Sequence, residues 1–157
     1  MRRGCVVREA SPLLSPFGIE ISERLAAIAH EAAARREGEV LQGEALSRLQ
    51  SLPDDSFSGI VLNSFLEHEI NPLPVLQQCK RLLRADGAMI IKVPNYGSLN
   101  RKLFGAQWCG FRFPDHVNYF TPRHLSDLCR RAGLAPVRFR YLDRHPLSDN
   151  MWLVLGR

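Results

Sequence analysis

Apolar and polar positions change their period along this chain, and the changes mark out alternating strands and helices. Phe17 to Ile21 is a short apolar run broken by Glu20; Ser22 follows as a helix N-cap, with Glu23 in the first turn. The pattern predicts a strand feeding a helix. Residues 23 to 36, ERLAAIAHEAAARR, carry apolar positions at helical spacing, and Gly38 closes that helix. Val40 and Leu41 begin the next strand, Ser47 to Leu52 fit one short turn, and Pro53-Asp54-Asp55 is a turn before Phe57. Ile60 to Leu62 reads as a continuous apolar core strand. Pro72 then opens a helix to about Arg84, with Leu73, Leu76, Cys79, Leu82 and Leu83 on one side. Asp86-Gly87 turns the chain into a strand over Ala88 to Val93, which Pro94 terminates. Residues 96 to 120 lack a strong period and predict an excursion over the sheet. Thr121-Pro122 starts a helix ending at Gly133, and Val137 to Leu142 with Met151 to Leu155 form a hairpin-like pair around Pro146. Strands alternating with helices predict an α/β protein with a largely parallel sheet, closed by an antiparallel pair. No repeat, low-complexity tract or linker interrupts the pattern, so residues 1–157 are expected to form one domain.

Composition narrows this picture only a little. A chain of 157 residues with 45% hydrophobic and 24% charged content can bury a real core. No apolar run approaches the roughly 20 residues a bilayer span needs, and no signal-peptide core opens the chain, so a cytoplasmic protein without a membrane partner is expected. The net charge of +5 raises the question of a nucleic-acid partner. The basic residues are dispersed, however: Glu31 and Glu37 flank Arg35-Arg36, and Lys80, Arg81 and Arg84 share a helix that needs a solvated face. Arg130-Arg131 sits at a helix end, where it complements the helix dipole. A diffuse positive surface accounts for the charge. Cys5, Cys79, Cys109 and Cys129 form no CxxC pair, and no histidine stands at zinc-finger spacing, so no metal is assigned.

Parallel sheets bind ligands beyond the carboxyl ends of their strands, and that rule selects the candidate chemistry. Asn63, Ser64, Glu67 and His68 lie just past the strand at Ile60 to Leu62. A histidine beside a carboxylate can accept a proton near neutral pH; the alternative is that Glu67 and His68 only cap the turn before Pro72. Glu20 interrupts an apolar strand and must reach solvent or donors. At such a strand tip a carboxylate either accepts ribose hydroxyls or caps the next helix. FRFPDHVNYF offers His116, Asn118 and Tyr119 amid Trp108, Phe111, Phe113 and Phe120. This is either the wall of a substrate pocket, with Asp115-His116 as a second acid–base pair, or a hydrophobic plug.

The run Phe57 to Asn95, FSGIVLNSFLEHEINPLPVLQQCKRLLRADGAMIIKVPN, resembles the second half of class I S-adenosylmethionine-dependent methyltransferases. The resemblance extends back to FGIEIS and EVLQGEAL and forward through FRFPDHVNYFTPRHLSDLCRRAGL to DNMWLVLGR. It implies a Rossmann-like methyltransferase sheet flanked by helices, and methyl transfer from S-adenosylmethionine to a small-molecule acceptor. It places Glu20, with Ile21, at the ribose position, and Glu44 with Ala45 in the loop that brackets adenine. Asn63 and Ser64 fall beside the methionine part of the cofactor. His68, Glu67, His116 and Tyr119 become the candidate catalytic residues, and residues 96–120 the substrate cap of a subgroup acting on varied small molecules.

The family opens with a strand and a GxGxG loop, whereas Met1 to Pro16 holds a single glycine, Gly4. CVVREASPLLSP resembles the tail and exit of the first helix. The expectation is a chain lacking the first strand and the glycine-rich loop, and an inactive relative is the first rival to an enzyme; a basic nucleic-acid-binding module is the second. Without that central strand, Phe17 to Ile21 and Ile60 to Leu62 would pair directly, or be bridged by residues 1 to 10 or by another chain through open sheet edges. A homo-oligomer is one expected outcome.

Overall fold

The computed structural model describes residues 14–157. The backbone divides into two compact units, one ending at Leu52 and the other running from Pro53 to Arg157. The proposal that residues 1 to 10 fill a gap in the sheet falls outside the described residues.

In the first unit, strand β1 (Phe17–Glu20) pairs in parallel with β2 (Glu39–Gln42), joined by helix α1 (Glu23–Ala34). Ser22 caps α1 by accepting from the Leu25 amide. Gly38 is held close by a packing need: a Cβ there would meet the Pro16 carbonyl oxygen. The Ser47 to Leu52 turn proves to be a six-residue helix, α2 (Ala45–Gln50), capped by Glu44.

The second unit carries a four-stranded sheet in the order β3-β4-β6-β5, built from β3 (Phe57–Asn63), β4 (Leu83–Pro94), β5 (Ala135–Arg138) and β6 (Asn150–Gly156). β3 and β4 are parallel, whereas β6 runs antiparallel to both of its neighbours. This confirms the mixed α/β sheet with a C-terminal antiparallel pair. Within the first unit the strand at Phe17 pairs with β2, and within the second the strand at Ile60 pairs with β4.

Alternation along β4 and β6 makes the core. Met89, Ile91 and Val93 stand opposite Leu155, Leu153 and Met151, and all six are fully buried. Helix α3 (Pro72–Leu82) and helix α5 (Pro122–Arg131) add Val75, Leu76, Cys79 and Leu82, and Leu125 and Cys129. At roughly 1.5–3 kcal/mol for each large apolar side chain removed from water, this layer is what holds the second unit together.

Several boundaries differ from the pattern. α3 stops at Leu82 and Leu83 already belongs to β4, where it pairs with Phe57; regular pairing resumes only at Gly59 with Ala88. Residues 84–87 are therefore an irregularity inside one long strand, with Arg84, Ala85 and Asp86 exposed and Gly87 buried, in place of the expected Asp86-Gly87 turn. Leu73 is only partly buried, and Val75 takes its expected place in the core. β3 is not a buried strand throughout: Leu62 is buried while Val61 is exposed, because neighbouring side chains of a strand point to opposite faces of the sheet. The expected strand Val137 to Leu142 ends at Arg138, and Tyr141–Arg144 form a 3-10 turn in which the Asp143 carboxylate accepts from the Arg140 amide. The 96–120 excursion contains one short helix, α4 (Leu99–Phe104), and a 3-10 turn at Gly105–Gln107.

Burial pushes the Cys79 and Cys129 thiols up to about 12, so neither forms thiolate near neutral pH. Cys109 is exposed. Iodoacetamide at about pH 8 is expected to label Cys109 in the native protein and to reach Cys79 and Cys129 only after denaturant. Peptide mapping checks this, and native labelling of the two buried thiols at the unfolded rate would mean that α3 and α5 are not packed on the sheet.

Candidate functional site

The sheet of the second unit ends where the chain leaves β3. Asn63 is the last residue of that strand, and Ser64 turns with φ of +52°, in the left-handed region, while its amide still donates to the Lys92 carbonyl. That single strained residue redirects the backbone into a 3-10 turn, Leu66–His68. Leu66 and Glu67 point inward and are buried, whereas His68 is half-buried.

The excursion then folds back onto this turn. The Glu67 carbonyl accepts from the amides of both Val117 (2.8 Å) and Asn118 (3.0 Å). The Asn118 side-chain amide donates to the carbonyls of Leu66 and Glu69. Four hydrogen bonds thus clamp residues 117–118 to the tip of β3, and they bring His116 beside His68. The two rings meet edge to face with centroids 4.7 Å apart.

Both histidines are oriented by backbone. His68 Nδ1 lies 2.7 Å from the Asp115 carbonyl oxygen, and His116 Nδ1 lies 2.8 Å from that of Gly110. A carbonyl can only accept, so each Nδ1 carries a hydrogen and each Nε2 of the neutral ring presents a lone pair. Burial holds the His116 pKa below the usual histidine range, which favours that neutral ring. The Asp115-His116 acid–base pair expected from the sequence is not formed through hydrogen bonding: His116 Nδ1 turns to Gly110, and Asp115 contributes its peptide carbonyl to His68.

Glu67 is the third member of this group. Its side chain is 1% exposed, and Oε2 has no hydrogen-bond partner. Burial pushes its carboxyl above the usual carboxylate range, opposed in part by the charges of His68, Lys92 and Arg112. An uncompensated buried carboxylate is costly. The sequence marks Glu67 and His68 as neighbours, but their meeting with His116 depends on a clamp between segments about fifty residues apart.

Tyr119 joins an aromatic cluster rather than the histidines. Its ring lies 5.6 Å from that of Tyr96 and 5.2 Å from that of Phe111, and Trp108 packs edge-on against both Tyr96 and Phe111. Arg101 stacks its guanidinium 4.3 Å from the Tyr96 ring centroid. Phe113, expected in this wall, is 89% exposed and takes no part, while Phe120 is buried. Tyr96 and Asp149 were missed by sequence reasoning. Asp149 accepts from Trp108 Nε1 at 2.6 Å and from Asn100 at 3.3 Å, and its carbonyl accepts the Asn95 amide. Nothing in its local pattern announces that role.

In the first unit, Glu20 ends β1 with its side chain 5% exposed, and Oε1 accepts the Ser22 amide at 2.8 Å. Ile21 is half-exposed, and its carbonyl accepts from Gln42. Glu44 accepts three bonds, from the Leu46 amide, the Ser47 amide and the Ser47 hydroxyl. The Ser47 amide does most to hold its carboxyl below the usual range. Ala45 is the first residue of α2.

A family model described as a methyltransferase domain matches residues 4–138. The chain belongs to that methyltransferase family. It is 35% identical over 96 residues to a ubiquinone biosynthesis O-methyltransferase of Cereibacter sphaeroides, an alignment that covers 57% of this chain and 39% of the relative. The chain therefore spans well under half the length of that relative. Among solved structures, an S-adenosylmethionine-dependent methyltransferase of Methanosarcina mazei superposes with a TM-score of 0.66 at 17% identity, covering 90% of this chain and 81% of the other. A 1,6-didemethyltoxoflavin N1-methyltransferase of Burkholderia thailandensis, solved with bound 1,6-didemethyltoxoflavin and S-adenosylhomocysteine, gives 0.61 at 18% identity, covering 90% and 60%. These likenesses establish the Rossmann-like methyltransferase fold.

Asp149 is a single carboxylate on which Trp108 and α4 both hang. Asp149→Ala is expected to cost about 1.5–3 kcal/mol in urea unfolding, the worth of hydrogen bonds to a charged group, and to shift Trp108 emission to the red. Unchanged stability together with unchanged emission would show that the cap does not depend on this residue.

Proposed function

We propose that this chain is an S-adenosylmethionine-dependent methyltransferase domain acting on a small-molecule acceptor that must lose a proton as it is methylated. Membership of the methyltransferase family supports the reaction class. The observation that carries the proton step is the paired orientation of His68 and His116: both rings have Nδ1 committed to carbonyls and Nε2 turned to other use. The sulfonium donor is intrinsically reactive, so the protein's work is to align the acceptor, exclude water and receive the proton.

Roles follow from the positions described. Asn63 and Ser64, at the tip of β3, are assigned to the methionine part of the cofactor. Glu20 is assigned to the ribose hydroxyls: a carboxylate has about four lone-pair sites and the Ser22 amide occupies one, which leaves capacity for a diol. Ile21 and Ala45 contribute backbone groups, and Glu44 holds the adenine-side loop in shape through its bonds to Leu46 and Ser47. Residues 96–120 form the acceptor cap, with Tyr96, Phe111 and Tyr119 offering an apolar wall suited to a flat ring. The similarity to an O-methyltransferase favours a hydroxyl as the acceptor.

The deciding experiment is titration with S-adenosylhomocysteine followed by single-turnover methyl transfer to a catechol probe such as 3,4-dihydroxybenzoate. Binding is expected, and Glu20→Ala should weaken it by at least about tenfold, the loss of a pair of charge-assisted hydrogen bonds. Absence of binding to the wild-type chain would remove the proposal.

Replacing the proton acceptors gives an independent check. His68→Ala and His116→Ala are expected to slow the single turnover by about 10²-fold or more at saturating cofactor, with S-adenosylhomocysteine affinity unchanged. Full rate in both variants would leave alignment alone as the source of catalysis.

A further inference from the structure

Glu67, His68 and His116 present three ligand atoms to one another beyond the end of β3, and we infer that they form a site for a borderline divalent ion of the zinc type. The ligand atoms all lie within 4.8 Å of one another. An ion at the centre of a triangle whose sides reach 4.8 Å sits at most about 2.8 Å from each corner, against bond lengths of about 2.0–2.2 Å for imidazole nitrogen and carboxylate oxygen. Closing the difference takes side-chain shifts of less than about 1 Å, small against the rotations available to a 3-10 turn and a loop.

Three independent features point to an ion rather than to an accident of packing. Each histidine donates Nδ1–H to a backbone carbonyl, which is the outer-shell arrangement that fixes the tautomer and aims Nε2 at a metal. Glu67 Oε2 is buried without a partner, and a divalent ion is the ligand that most directly removes that cost. Two imidazoles and one carboxylate suit zinc, cobalt and iron better than magnesium or calcium, and three protein ligands leave coordination positions open. His68 is only half-buried, so an opening remains on its side.

The surrounding charges are mixed. Lys92 and Arg112 act on Glu67 and oppose a cation, while Asp115 favours one at His116. Lys92 is drawn toward the ring of Trp152, 5.1 Å away, and the Arg112 guanidinium donates to the Cys109 carbonyl. Neither basic group satisfies Oε2, so the carboxylate is left for the ion. Bound there, the ion would accept an acceptor oxygen and lower its pKa, and would take over from the free Nε2 atoms the task of easing the proton away. That role rests on the methyl-transfer proposal; the site itself does not.

The test uses the full chain stripped with EDTA and titrated with Co²⁺ and Zn²⁺, read by calorimetry and by the visible ligand-field bands of cobalt. The expected result is one ion per chain, nitrogen-ligated cobalt bands, and a higher melting temperature with metal. Glu67→Gln, His68→Gln and His116→Ala should each weaken binding at least tenfold, while His124→Ala, an exposed histidine on α5, should leave it unchanged. Glu67→Gln in EDTA is expected to melt no lower than the wild type, because it removes a buried charge. If it fails to fold, His68→Gln, whose side chain is half-exposed, carries the same decision. Absence of stoichiometric binding, or binding that survives all three substitutions, would overturn the site. Titration with S-adenosylhomocysteine in EDTA separates the outcomes: cofactor binding without metal binding sinks the metal site alone.

Discussion

One peptide carbonyl, that of Glu67, holds the candidate site together. By accepting from two consecutive amides, those of Val117 and Asn118, it fastens a loop without regular structure to the end of a strand. The Asn118 side chain reinforces that attachment through the Leu66 and Glu69 carbonyls. His116 can reach His68 only because residues 117 and 118 are pinned, and the Asp115 carbonyl can orient His68 only because His116 is in place. The same residue that supplies this carbonyl carries the orphan carboxylate. The backbone bonds therefore hold the Glu67 side chain in a position that burial alone would oppose, and such strain is retained where the surrounding structure over-determines it.

How much of this the sequence discloses depends on the range of the interaction. Local signals translate directly: Ser22 and Thr121 cap helices, Pro72 opens α3, and the alternation Met89, Ile91, Val93 marks a buried sheet face. Boundaries fail where two local signals overlap. Leu82 and Leu83 continue the helical spacing, yet Leu83 is taken by pairing with Phe57, because a parallel ladder bond to a fixed strand outweighs the weak helix preference of one residue. β3 differs from its pattern for another reason: an unbroken apolar triplet puts side chains on both faces of a strand, and only tertiary packing decides which face is covered.

The site itself is legible by half. Asn63, Ser64, Glu67 and His68 are selected by the rule that ligands gather beyond strand ends, and the turn at Ser64 shows the backbone leaving the sheet where that rule requires. His116 is visible as a candidate but not as a partner of His68, since pairing across about fifty residues is a tertiary fact. Asp149 escapes altogether. It precedes β6 in an ordinary polar stretch, and its importance comes from three groups on other segments that converge on it.

Glu20 and Glu44 look alike in sequence, each a carboxylate following an apolar strand, yet their bonding separates them. Glu44 spends three of about four acceptor positions on the first turn of α2, whose six residues would have little stability without a cap. Its carboxylate is structural, and any part it has in ligand binding passes through the shape of the loop. Glu20 spends one position on the Ser22 amide while its side chain is almost wholly buried at the strand tip. A buried carboxylate with unspent acceptor capacity is costly until something donates to it. A diol provides two O–H donors to such a group, so ligand binding would remove at Glu20 a cost that the cap bonds of Glu44 have already removed.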